Sequence, residues 1–178
     1  MSDGMWTDPQ DDPRNQDFTR GERETLLSYL DFYRRTLVMK CEGLGPEQLA
    51  TASVPPSNLS LLGLVRHMAA VEQSWFRRVM GRDLALPRLY DKLVDPDRDF
   101  TGVEPTQECV DEAFASLRRE VAYAEEYVAG QADLGVTGEH PDGEIELREV
   151  LVHMVEEYAR HCGHADLIRE AIDGRTGA

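Results

Sequence analysis

HMVEEYARHCGHADLIREAIDG, residues 153–174, decides the reading of this chain. It holds no proline, repeats apolar residues at helical spacing and closes at Asp173-Gly174, so it is the main part of a helix running from Leu147 to Ile172. A helix turns about 100° per residue; with Glu157 at 0°, His153 falls at about -40°, His161 at about +40° and His164 at about -20°. Val150, Met154 and Ile168 share that face, which directs it at a core. Glu156 stands about 100° from Glu157 and leaves the face.

Working outward, three more long helices are expected. Leu26, Leu27, Leu30, Tyr33, Leu37, Val38 and Cys41 mark one over 21–42, ended by Gly43. Gly45-Pro46 opens a short turn of helix to Leu49, and Pro55-Pro56 breaks the chain. Leu61, Leu64, Met68, Val71 and Trp75 mark the second helix, 60–80, before Gly81. A long connection, 82–104, is the type of loop that covers a site. The third helix runs 106–129, with Thr106 as N-cap and Gly130 as stop. Residues 130–146 are Gly-rich and acidic with a Pro141-Asp142-Gly143 turn signal, and no period-2 run predicts a strand. The fold class is all-α, a four-helix bundle over 21–178, after a flexible N-terminal arm over 1–20. The connections 43–59 and 82–104 are long enough to span a bundle, so periodicity leaves an up-down-down-up order open.

Composition removes several function classes. The 178 residues carry 34 acidic and 19 basic side chains, a net charge of -15, which excludes nucleic acid and anionic membrane surfaces as partners. No apolar run is long enough for a transmembrane helix, and Met1–Arg20 lacks the apolar stretch of a secretory signal. Cys41, Cys109 and Cys162 are odd in number and form no CxxC pair, so they read as helix thiols of a reduced, cytoplasmic protein.

The histidine face carries the chemistry. Imidazoles and a carboxylate beside an apolar stripe are costly to bury unless something binds them, and a divalent metal does so. Glu157 and His161, one turn apart, reach the same ion, and a third ligand must come from another helix. His67, on the inward arc of the second helix with Leu64 and Val71, is the candidate. Neutral imidazole and carboxylate suit zinc, nickel, iron or manganese. Taken alone, His67 and His153 also fit satisfied core histidines, and His140, before the Pro-Asp-Gly turn, reads as a surface residue.

Residues 153–174 resemble the last helix of the DinB-like superfamily, most closely its actinobacterial branch, and SLLGLVRHMAAVEQSWF (60–76) resembles its second helix. The resemblance covers nearly the whole chain beyond the arm. It implies an up-down-down-up bundle and a metal held by one histidine of the second helix and two ligands of the last. Many members carry His-x-x-x-His-x-Gly-Gln there; this chain has Glu157-Tyr-Ala-Arg-His161-Cys-Gly163-His164. Glu157 replaces the first histidine, His161 keeps the second and His164 takes the glutamine position. Mycothiol-dependent maleylpyruvate isomerases use histidine, glutamate and histidine, so the resemblance implies His67, Glu157 and His161 as metal ligands, with zinc first among the ions. His164 either substitutes as a ligand or supports one from behind.

Three protein ligands leave a coordination position open, the mark of a catalytic site. The leading reading is a metal-dependent enzyme using a low-molecular-weight thiol, mycothiol, as an S-transferase or isomerase acting on a small electrophile. His153 and His164 are the candidates for catalytic proton transfer and Arg169 for binding a carboxylate of the thiol. A metal-dependent hydrolase, or a non-catalytic dimeric binding or stress-response module, remain as alternatives. The resemblance also implies a homodimer. Val152, Val155 and Phe76 lie on the far sides of their helices, either as a subunit contact or, preferably, as a second core face.

Overall fold

A computed structural model describes Asp12, Arg14 and residues 20–90 and 95–176. Most of the proposed arm and the middle of the 82–104 connection therefore lie outside the described residues. Of the arm, Arg14 is buried, pairs with Asp12 at 2.6 Å and reaches Thr36 Oγ1 at 3.2 Å.

The long helices fall close to their expected bounds: α1 (Glu22–Met39), α3 (Leu61–Glu72), α5 (Gln107–Ala129) and α6 (Leu147–Asp173), with α2 (Pro46–Ala50) as the short turn. Their ends follow from local chemistry. Ser60 and Thr106 accept hydrogen bonds from the backbone N–H of Gly63 and Cys109 at the starts of α3 and α5. Gly174, at φ 75°, ends α6 in the left-handed conformation that glycine enters without strain.

Three features depart from the sequence reading. The second helix does not remain α-helical; residues Gln73–Met80 continue it as a π-helix, in which Gly81 N–H bonds Phe76 C=O at 2.9 Å. Within the 82–104 connection lies a further short helix, α4 (Arg98–Thr101), packed on α3. Residues expected to be strand-free form an antiparallel hairpin, β1 (Thr137–His140) and β2 (Gly143–Glu146), with Thr137 paired to Glu146 and His140 to Gly143. Four residues per strand are too few to show alternation. The inner contact at Gly138 is made by backbone: a Cβ there would lie 2.8 Å from both Met80 Sδ and Val79 O.

The core is one cluster of Leu, Val, Met and Ala from all four long helices, with Phe76 fully buried and Val155 packed against it, so those two serve a core face. Val152 stays 54% exposed. α1 packs mainly on α6 and α3 on α5, while α3 and α6 meet less extensively. Along the first seam Glu22 meets Arg148, Tyr33 meets Cys162 and Lys40 meets Asp166. Along the second Arg66 meets Cys109, Arg77 meets Glu120 and Tyr127 bonds the Met80 carbonyl. At the centre Arg34 grips the fully buried Glu72 through Nε and Nη2, both at 2.8 Å, and the Tyr158 hydroxyl donates to Glu72 at 2.9 Å. No described helix is long and apolar enough to cross a membrane.

Candidate metal centre

The inward face read from residues 153–174 meets α3 at His67. The amphipathic patterns of the two helices bury Leu64 and Met68 around His67, and Met154, Tyr158 and Ala165 around Glu157 and His161, so the three polar side chains converge at one point of the seam. Their donor atoms lie within 4.8 Å of one another. Glu157 Oε2 is 3.3 Å from His161 Nε2 and 3.9 Å from His67 Nε2. Two donors each about 2.1 Å from an ion, at a tetrahedral angle, are about 3.4 Å apart. Two imidazole nitrogens and one carboxylate oxygen at this spacing fit a divalent ion of the zinc type, both in donor chemistry and in size.

His161 is buried, 8% exposed. Burial first, and the nearby His67 second, lower its pKa to about 4, while Glu157 pulls in the opposite direction. Its imidazole is therefore neutral across the physiological range, the form that ligates a metal.

The remaining predicted residues take distinct places. His153 Nε2 lies 3.5 Å from Glu157 Oε1, on the other carboxylate oxygen. His164 Nδ1 lies 3.3 Å from His161 Nδ1, so it stands behind a ligand and outside the triad. Glu156 is exposed and pairs with Arg160. Arg169 is not brought to the triad. It is 2% exposed, with Nη1 donating to the carbonyls of Lys40 and Glu42 at 2.9 and 2.7 Å and Nη2 paired with Asp173 at 2.7 Å. His140 is partly covered, because its ring stacks on Trp75 at 5.5 Å and 6°. Trp75 also packs on His153 at 4.7 Å. A cavity of about 370 Å³ opens beside this group, lined by Trp75, His140, Ile145, Glu149 and His153. A larger cavity of about 480 Å³ lies between α1 and α5, and no triad residue lines either cavity; His153 is the link between the smaller one and Glu157.

Burial pushes the thiols of Cys41 and Cys162 up to about 12, which makes them inert core groups. Asp99 and Phe100 were not among the expected site residues, yet Asp99 Oδ2 is 2.8 Å from His67 Nδ1 and Phe100 stacks on the same imidazole. They sit in α4, inside a connection whose sequence has no periodicity to aim them.

A family model described as Mycothiol-S-transferase matches residues 25–174. The crystal structure of a conserved protein from Enterococcus faecalis superposes with a TM-score of 0.60 at 16% identity, covering 88% of this chain and all of that one, a likeness of fold. No curated protein matches the sequence.

Proposed function

Because this chain belongs to the Mycothiol-S-transferase family, within the DinB-like proteins, we propose that it is a metal-dependent enzyme that joins mycothiol, through its sulfur, to a small electrophile. The observation that carries the reading is the convergence of His67, Glu157 and His161 within 4.8 Å. These three residues would hold the ion, with zinc first among the candidates. A divalent ion there lowers the pKa of a thiol enough to make it thiolate at neutral pH.

The chain's own residues supply the rest. His153, beside Glu157 and on the wall of the 370 Å³ cavity, takes the thiol proton. The sulfur lone pair forms the new C–S bond, and the leaving group departs with the electrons of its former bond to that carbon. His164 holds His161 in orientation and relays protons outward. The cavity walls of Trp75 and Ile145 receive the apolar part of the electrophile. Arg169 has no part in this scheme, since its guanidinium is committed to the end of α1.

The same reading takes the long helices in up-down-down-up order. What supports it is that contacts between α1 and α6, and between α3 and α5, advance in the same chain direction. Those between α3 and α6 run oppositely, from His67–His161 to Trp75–His153. It also places the protein in the cytoplasm as a homodimer, with Val152 and Leu167, 54% and 59% exposed on α6, supporting the pairing.

Elemental analysis of the purified chain is expected to find about one equivalent of metal, lost in His67→Ala and in His161→Ala. With mycothiol and 1-chloro-2,4-dinitrobenzene the parent is expected to form the thioether and both variants to fail. Full metal content in both variants refutes the site. Turnover of an ester without any thiol replaces the transferase with a hydrolase.

A further inference from the structure

The short helix α4 is assembled around one imidazole. Asp99, fully buried, places Oδ2 at 2.8 Å from His67 Nδ1. Phe100 stacks on the ring, with centroids 5.2 Å apart and planes at 26°. Arg66, the residue before His67, donates from Nε to the Asp99 carbonyl at 2.9 Å and from Nη2 to the Arg98 carbonyl at 3.3 Å, so the α4 backbone is tied to α3 at that level. Gly63, one turn earlier, makes the approach possible: a Cβ there would lie 2.9 Å from Phe100 Cδ1. Four contacts from three consecutive residues, Arg98, Asp99 and Phe100, thus end on His67 or its neighbour Arg66.

A carboxylate this deep is costly unless a donor faces it. An ionised carboxylate only accepts, so with Asp99 ionised the 2.8 Å contact takes the His67 proton on Nδ1. The lone pair is then on Nε2, the atom that looks toward Glu157 Oε2. Free histidine in water favours the opposite arrangement, with the proton on Nε2. The carboxylate also makes the imidazole a stronger donor to a cation.

We propose that Asp99 and Phe100 are positioning residues for His67. Asp99 sets the tautomer that presents Nε2 to a divalent cation, and Phe100 sets the plane of the ring. The connection between the second and third long helices is therefore part of the site's support. The proposal rests on reading His67, Glu157 and His161 as a metal site, yet the tautomer belongs equally to the metal-free chain.

Two measurements on the full chain separate these claims. Long-range proton–nitrogen NMR of the metal-stripped parent at about pH 8 reads the tautomer directly. A His67 proton on Nδ1 is expected, and a proton on Nε2 overturns the proposal whether or not the chain binds metal. Zinc affinity by chelator competition is then compared between the parent, Asp99→Asn and Phe100→Leu. Asp99→Asn is expected to bind zinc about 10–100-fold more weakly. Phe100→Leu is expected to weaken it by less, and the metal-free variants to melt near the parent. Unchanged zinc affinity in Asp99→Asn overturns the proposal, all the more if that variant melts early, since that marks a purely structural contact. If Asp99→Asn fails to fold, the parent tautomer and Phe100→Leu still decide. A parent with Nδ1–H that binds no zinc refutes the metal reading and leaves the hold of Asp99 on His67 standing.

Discussion

Urea unfolding of the metal-stripped chain, followed from about pH 7.5 to about pH 4.5 beside His161→Gln, tests the electrostatics of the triad. In the native state burial lowers the His161 pKa from 6.5 to about 4. Between those values the unfolded chain binds a proton that the native chain does not, so stability rises with pH there. The contribution is complete above the ordinary histidine value and is lost progressively as the pH falls to about 4. A displacement of this size corresponds to at most about 3 kcal/mol, and to about 2 kcal/mol once solvent at the rim of the site is allowed for. For a chain of this length that is a fall in Tm of about 4–8 °C. His67, Glu157, His164 and Arg160 face the group and remain in the variant, so the difference between the two curves isolates His161. The parent is expected to lose about 2 kcal/mol more than His161→Gln over this range. Parallel curves refute the claim that His161 is kept neutral by burial. Saturating zinc should flatten the parent curve above about pH 6 and leave His161→Gln unmoved, because metal and proton compete for the same nitrogen.

Glu72→Gln removes the buried carboxylate from the Arg34 guanidinium and leaves it only the exposed Glu125 at 3.7 Å, and is expected to destabilise by about 3–5 kcal/mol in urea; a loss below about 1 kcal/mol would show that solvent reaches the pair. Tyr158→Phe removes one hydrogen bond to that carboxylate and should lower stability by about 1.5–3 kcal/mol without altering metal content. Gly138→Ala drives a methyl into Met80 and the Val79 carbonyl, for a loss of about 1–3 kcal/mol and faster amide exchange in the hairpin; an unperturbed hairpin would mean that the contact is loose.

Periodicity was enough to read the long helices, because each buries a stripe wide enough to repeat several times within its length. It also aimed the triad: residues one turn apart on α6 must share a face, and Leu64 and Val71 set the direction of His67. Where the structure depends on single contacts, periodicity is silent. The hairpin at 137–146 is held by the turn and by the backbone fit of Gly138 under Met80. The π-helical turn after Glu72 begins beside a buried carboxylate that Arg34 and Tyr158 must reach, a tertiary requirement carried by residues over 30 positions away. Asp99 lies among several acidic residues of one connection, and nothing local separates it from its neighbours. Arg169 shows the converse limit. Its helical position was legible, but its partners are main-chain carbonyls at the end of α1, which no side-chain pattern records.

The placement of the polar groups gives the triad a structural consequence. The helices pack most extensively as two pairs, α1 with α6 and α3 with α5. The thinner seam between α3 and α6 is crossed by polar contacts: Glu72 to Tyr158, and His67 toward Glu157 and His161. Of the three imidazoles around the Glu157 carboxylate only His67 comes from α3, and its 3.9 Å to Glu157 Oε2 exceeds a good hydrogen bond, so this contact holds the seam weakly in the metal-free chain. An ion bound there joins the two pairs through His67 on one side and Glu157 and His161 on the other. The chemistry of the site and the cohesion of the bundle are then one equilibrium, and any ligand that binds only the folded chain adds to its stability in proportion to the logarithm of its excess over Kd. Zinc at about 100 times its Kd should add about 2.7 kcal/mol, a gain that His67→Ala must forfeit even though its own helix pair, α3 with α5, remains packed.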